Sequence, residues 1–199
     1  MKRLMIIGCS GSGKSTLAAR LGEKLSLPVH HLDRLFWKPG WEEPTRDEWR
    51  ALQEELCAQP RWILDGNYGG TKELRFASAD TIIFLDLPAL SCLHGAIRRF
   101  LRFRGRSRPD MAEGCPERLD WEFVKRIWTY RRDRRPKTVA RLSELEKTKH
   151  IIILSSRRAV RRYLEDEVAN RLARPWDLLP MTPPTAWCDR WAMKTRSAG

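Results

Sequence analysis

The stretch Gly8-Cys9-Ser10-Gly11-Ser12-Gly13-Lys14-Ser15-Thr16 has the spacing G-x-x-x-x-G-K-S. Residues of these types in this order can hold phosphates. The glycines permit the backbone angles that let N–H groups from Cys9 to Ser15 converge on an anion. Lys14 can reach the β- and γ-phosphates, and the Ser15 hydroxyl can ligate Mg²⁺. A helix starting at the end of the loop adds the positive end of its dipole. The expected ligand of Gly8–Thr16 is a nucleoside triphosphate, ATP, with Mg²⁺.

Two carboxylates extend this chemistry. Asp65 follows the apolar run RWIL, where a Walker-B-like acid holds Mg²⁺ directly or through water. A turn or helix-cap aspartate before Gly66 is the alternative. Asp33, in HHLD, lies where a phosphoryl acceptor would sit. It can take a proton from an attacking hydroxyl or orient the acceptor; otherwise it forms a surface salt bridge with Arg34. His30 and His31 are adjacent on a strand and face opposite ways, one packed and one solvated, neither catalytic.

From Arg98 to Lys137 there are fourteen Lys/Arg and six Asp/Glu, a net +8 over 40 residues. Phosphoryl transfer spreads charge over the moving group, and arginines on a closing lid stabilise it. The loop Gly105–Pro116 is the natural lid. Arg98, Arg102 and Arg106, near its entry, are expected on the nucleotide. Arg132 and Arg135, on the return helix, are expected at the transferred group. The same basic surface can meet DNA phosphates without reading sequence, although no helix-turn-helix, zinc-finger or RNA-recognition motif accompanies it. Trp37 and Trp41 either stack on a base or pack under the PGW loop.

The elements that must position these residues follow from periodicity. Strands are expected at Arg3–Ile7, Pro28–Leu32, Arg61–Asp65, Thr81–Asp86 and His150–Leu154, the fourth buried on both faces. Helices are expected at Lys14–Leu25, from a capping box at Thr45-Arg-Asp-Glu48 to about Ala58, and at Leu90–Arg104. Others run over Glu117–Arg135 (interrupted or kinked at Pro136), Lys137–Lys147 and Arg157–Ala173. Strands alternating with helices imply a parallel sheet covered on both faces, with ligands beyond the carboxyl ends of the strands. The fold expected is α/β, a P-loop NTPase with a five-stranded sheet and a helical lid. One kinase-like domain spans 1–173, with the lid at about 98–136. Residues 174–199, with four prolines and three tryptophans, read as a loosely attached tail.

Composition narrows the partners. The 199 residues carry a net charge of +13, a field that attracts phosphorylated ligands, nucleic acid or anionic membrane. No apolar run approaches the ~20 residues of a membrane span, and the expected location is cytoplasmic, with no membrane partner. The five cysteines form no CxxC pair, so neither a zinc site nor a disulfide framework is indicated. Cys92 and His94 read as packing residues.

The stretches GCSGSGKST, PVHHLDRLFWKPGW, WILDGNYGG, ADTIIFLDLP, RGRSRPDMAEGCPERLDWEFVKRIW and KHIIILSSRRAVRRYL together resemble the DNA topology modulation protein family, over roughly residues 1–168. These are small P-loop proteins of the adenylate-kinase-like class. The resemblance implies a core, an acceptor-binding region and a lid, with ATP binding and kinase-like transfer. DGNYGG stands where similar nucleotide kinases carry a DGFPR-like segment. The arginine of that segment is absent here, with Tyr68 and Gly69 nearby, which speaks against a simple nucleoside-monophosphate acceptor. The expected activity is Mg²⁺-dependent phosphoryl transfer from ATP to an unidentified small molecule or nucleotide. The alternatives are a nucleotide-dependent DNA-binding or regulatory protein and a slow ATPase.

Overall fold

Short runs of Ile, Leu, Val and aromatic residues form the five strands: β1 (Arg3–Gly8), β2 (Val29–His31), β3 (Trp62–Asp65), β4 (Thr81–Leu85) and β5 (His150–Leu154). All pairings are parallel and the order is β2-β3-β1-β4-β5. The three central strands are buried almost throughout, as a sheet covered on both faces requires. The computed structural model describes residues 1–106, 108–117 and 119–172, with backbone alone from 167; Arg118 and the expected tail at 174–199 lie outside the described residues. Among the described residues no helix is long and apolar enough to cross a membrane.

The helices that cover the sheet are α1 (Lys14–Leu25), α3 (Arg46–Ala58), α4 (Lys72–Ser78), α5 (Ala89–Phe103), α7 (Arg135–Leu145) and α8 (Arg157–Leu172), with α2 (Leu32–Phe36) and α6 (Trp121–Asp133) nearer the site. Local chemistry sets several ends. Thr45 forms the expected capping box: its hydroxyl accepts from the Glu48 N–H at 3.3 Å, and Glu48 accepts from the Thr45 N–H at 2.8 Å. Asp120 caps α6 by accepting from the Phe123 N–H at 2.7 Å. Pro136 falls in the first turn of α7, where no N–H is required, so the two expected helices part just before it, at Arg134.

Three departures from the sequence reading matter for the site. The second strand stops at His31, and Leu32 instead opens α2, so Asp33 and Arg34 ride on a short helix. The segment after Asp65 continues through a 3₁₀ turn at Gly69–Thr71 into α4, a helix too short for periodicity to reveal. The helix expected from Glu117 begins only at Trp121, leaving a longer lid loop.

Register then aligns the chemistry. Ile6 pairs with Asp65, Gly8 with Leu85, and His31 with Asp65. The phosphate loop, His31, Asp65 and Asp86 therefore share the carboxyl edge of the sheet, where an α/β fold binds its ligands. Beneath them Leu4–Ile7, Ile63, Leu64 and Ile82–Leu85 are wholly inaccessible and form the floor.

Candidate active site

The phosphate loop takes its shape from what lies behind it. Gly11, at φ 75°, sits so close to α5 that a Cβ there would strike the Cys92 carbonyl oxygen, and one on Gly95 would strike the carbonyl oxygen of Gly11. Glycine is required at both places by contact, and at Gly11 by backbone angle as well. Gly13, also left-handed, caps α1, and its carbonyl accepts from the Leu17 N–H at 2.9 Å. Asn67 clamps the start of the loop: its amide donates to the Gly8 carbonyl at 2.8 Å, and its Oδ1 accepts from the Gly8 N–H at 3.3 Å. Arg157 braces the middle, donating to the carbonyls of Gly11 at 3.0 Å and Ser91 at 3.2 Å.

Within the loop, the Lys14 ammonium donates to the Cys9 carbonyl at 3.1 Å. Ser12 is buried, while Ser10 and Ser15 are half-buried and Thr16 is exposed. The Cys9 thiol is pushed well above the usual range by a hydrogen bond with the Cys92 thiol and by burial, so it packs as a neutral group. Cys92 is thus the packing residue expected, whereas His94 is exposed on α5.

Asp65, at the end of β3, is 4% exposed, and its Oδ2 lies 3.0 Å from Nδ1 of His31. Its Oδ1 is buried with no hydrogen-bond partner among the described residues. A buried carboxylate oxygen of this kind seeks a cation or a donor. Ser15 and Asp65 supply hard oxygen donors that suit Mg²⁺. Among the described residues no group of three or more His, Cys, Asp or Glu could hold a metal, so an ion here would complete its shell with phosphate oxygens and water. His31 is therefore part of the site, which the sequence reading did not assign. His30 is shielded, and burial lowers its pKa.

Asp33 does not pair with Arg34. Its Oδ1 accepts from the Tyr68 hydroxyl at 2.8 Å. Burial and the Asp33 charge raise the Tyr68 phenol far above its ordinary value, so it stays protonated and donates. Tyr68 belongs to an aromatic cluster with Phe36 and Trp49, ring centroids 4.6 and 4.9 Å away. Trp37 meets Phe36 and Trp41 edge-on, at 5.0 and 5.1 Å, in the packing arrangement of the two that the sequence left open.

The lid brings residues that the sequence reading passed over. Asp110 lies within reach of the Ser15 hydroxyl. Burial pushes its carboxyl up, but Arg108, Ser15 and His31 outweigh that and hold it below the ordinary range. Glu117, buried, joins Arg99 of α5 at 2.7 Å to Arg108 of the lid at 2.6 Å. The lid also meets the loop after α2: the Gly40 N–H donates to the Gly114 carbonyl at 3.3 Å, and the Cys115 thiol donates to the Lys38 carbonyl at 3.2 Å.

The five arginines singled out in the sequence separate. Arg135 is drawn to the sheet edge, where its Nε and Nη2 each donate to Asp86 at 2.7 Å. Asp86 was a missed residue with a readable signal, an acid directly after an apolar strand as at Asp65. Arg132 is 80% exposed and paired with its neighbour Asp133, so the fold does not bring it to the site. Arg98 is likewise exposed on α5. Arg102 and Arg106 instead line an open pocket of about 610 Å³ with Arg34 and Arg108.

Comparison with known proteins fits this architecture. No family model matches the chain. It is 33% identical over 93 residues to an uncharacterized protein, YqaC, of Bacillus subtilis (strain 168), covering 44% of this chain and spanning about half the length of that relative. The structure is similar to shikimate kinase from Acinetobacter baumannii, solved with shikimate, at a TM-score of 0.54 and 15% identity, over 87% of this chain and 94% of that one. Shikimate kinase from Bacteroides thetaiotaomicron gives 0.47 and 18%, over 89% and 99%. Gluconokinase from Sinorhizobium meliloti 1021 gives 0.46 and 16%, over 88% and 95%. The first likeness shows a shared fold: a five-stranded parallel α/β sheet of the P-loop, adenylate-kinase-like kind.

Proposed function

We propose that this protein is an ATP- and Mg²⁺-dependent kinase that moves the terminal phosphoryl group of ATP to a hydroxyl of a small molecule. The observation that carries the reading is the meeting of three parts at one sheet edge. These are a complete phosphate loop, Asp65 with a buried unpartnered oxygen, and Asp33 oriented by a protonated tyrosine. A protein that only bound nucleotide would need the first part alone. The fold shared with a kinase is compatible with this reading and leaves the acceptor open. The resemblance to the DNA topology modulation family rests on the sequence stretches, and none of the comparisons names that family.

In this mechanism the loop amides and Lys14 hold the β- and γ-phosphates. Ser15 and Asp65 would hold Mg²⁺, which would neutralise charge on the phosphate oxygens. Asp33 orients the acceptor hydroxyl and takes its proton as the new O–P bond forms and the bond to the β-phosphate oxygen breaks. Arg135, held by Asp86 at the same edge, supplies positive charge toward the transferred group. Asp110, on the lid, lies beside Ser15, so the lid adjoins the hydroxyl that would bind the metal.

The test is a panel of metabolites and nucleotides with Mg²⁺-ATP, scored for acceptor-dependent ADP release. At least one acceptor should support turnover, and Lys14→Ala should lower it by about 10²-fold or more with the circular dichroism spectrum unchanged. Unchanged turnover in that variant would sink the mechanism. ATP binding with no acceptor-dependent release across the panel would favour a regulatory role.

A further inference from the structure

The pocket beside the lid combines features that the phosphate loop does not use. Arg34 comes from α2, Arg102 from the end of α5, and Arg106 from the lid, so three separate elements each contribute an arginine to one space. Among the described residues none of the three has an acidic partner within ion-pairing distance, whereas Arg108, the fourth on the wall, is committed to Glu117 at 2.6 Å and Asp110 at 3.3 Å. Glu113 is the single carboxylate on the wall, and Phe103 and Met111 give it apolar surface. Arg102 lies over the Phe103 ring at 5.3 Å, which steadies it without satisfying its charge. Three exposed arginines without acidic partners around one pocket raise the positive potential there, which favours an anion between them. Their planar forks match phosphate oxygens bidentately. The volume suits a small metabolite.

The position of the pocket sharpens this chemistry. Arg34 is the residue after Asp33 on the same helix, and Arg108 and Pro109 lead into Asp110, which reaches Ser15. The pocket thus adjoins the place where an acceptor hydroxyl would face Asp33. The DGNYGG segment meanwhile offers no exposed arginine: the nearest, Arg75, is fully buried and donates to the carbonyls of Gly66, Asn67 and Tyr68. A phosphate that itself attacked ATP would need cations at that segment, and they are absent among its described residues. We propose that the acceptor is an alcohol already bearing a phosphate, its hydroxyl toward Asp33 and its phosphate anchored by Arg34, Arg102 and Arg106. The proposal rests on the kinase reading. It moves Arg102 and Arg106 from the nucleotide to the second substrate and adds Arg34 to them.

Two measurements test it. In the first, full-length protein is loaded with a non-hydrolysable ATP analogue and Mg²⁺, and inorganic pyrophosphate is titrated in by calorimetry. It should bind at one site, and Arg34→Gln, Arg102→Gln and Arg106→Gln should each weaken it about tenfold or more while the affinity for the analogue stays the same. Absence of pyrophosphate binding, or binding that survives all three replacements, overturns the proposal. So does a loss of analogue affinity in the variants, which would return these arginines to the nucleotide. In the second, matched acceptors are compared with Mg²⁺-ATP: ribose with ribose 5-phosphate, glucose with glucose 6-phosphate, and nucleosides with their 5′-monophosphates. Sugar phosphates should be preferred, with the arginine variants raising KM more than they lower kcat. A preference for uncharged sugars, nucleosides or nucleoside monophosphates overturns it. The kinase reading fails separately, if the analogue does not bind the wild-type protein or Lys14→Ala leaves its affinity unchanged.

Discussion

Arg75 is buried completely, and its guanidinium reaches three carbonyls in the turn that carries Asn67 and Tyr68. Burial lowers its pKa to about 10, still high enough to leave it charged at neutral pH. Without it those carbonyls lose their donors, and each unsatisfied buried group costs about 1–3 kcal/mol. Arg75→Leu should therefore lower stability by about 3 kcal/mol or more, read from the urea midpoint. It should also weaken ATP binding, because Asn67 holds Gly8; a midpoint within error of wild type would refute the role. The residues recognised in the sequence, Lys14, Ser15, Asp33 and Asp65, owe their legibility to local spacing. Arg157, His31 and Asp110 act across large separations, and nothing in their own neighbourhoods marks them, while Arg75 reaches back from a helix too short to read. Arg132 errs the other way: a basic run identifies arginines but not which face of a helix they occupy.

At the scale of elements, the lid is tied at both ends of its path. Glu117 fastens it to α5 through Arg99 and Arg108, Asp110 reaches the phosphate loop, and Cys115 meets the loop after α2. A buried ion pair is costly to break one-sidedly, about 3–5 kcal/mol, because the remaining charge is left uncompensated. Glu117→Gln should thus free the lid without unfolding the sheet. Amide exchange across 108–117 should accelerate by at least an order of magnitude while β1 and β4 keep their protection. Equal acceleration in lid and sheet would show that Glu117 supports the whole fold instead. The strands were readable because each is a short apolar run, and α3 because its capping box is a local motif. Helices α2 and α4 were not, being shorter than the window over which periodicity accumulates.

For the molecule as a whole, burial lowers His30 from its ordinary 6.5 and Lys72 from 10.5 to about 8. In both cases the unfolded chain binds the proton more tightly than the folded one. Stability therefore rises with pH in each window. It is lost as pH falls below about 6.5, where the unfolded chain takes up a proton that folded His30 resists. It grows again between about pH 8 and 10, where folded Lys72 has released a proton that the unfolded chain retains. Urea midpoints measured from pH 5 to 10 should show both rises, with His30→Gln flattening the first and Lys72→Met reducing the second. A wild-type curve level through both windows would contradict the assignment. The net charge of +13 was legible from composition, but its division into a committed brace, an edge pair and an unpaired pocket is a property of the fold.

Arg157 carries a consequence for how such a protein comes into being. It stands 146 residues beyond Gly11, whose carbonyl it holds. During synthesis the phosphate motif leaves the ribosome early, and its brace follows only after all five strands. A nascent or truncated chain ending before Arg157 would display every letter of the motif with its backing absent. On the proposed reading, a fragment that carries the motif but stops short of Arg157 should bind nucleotide more weakly than the chain that includes it.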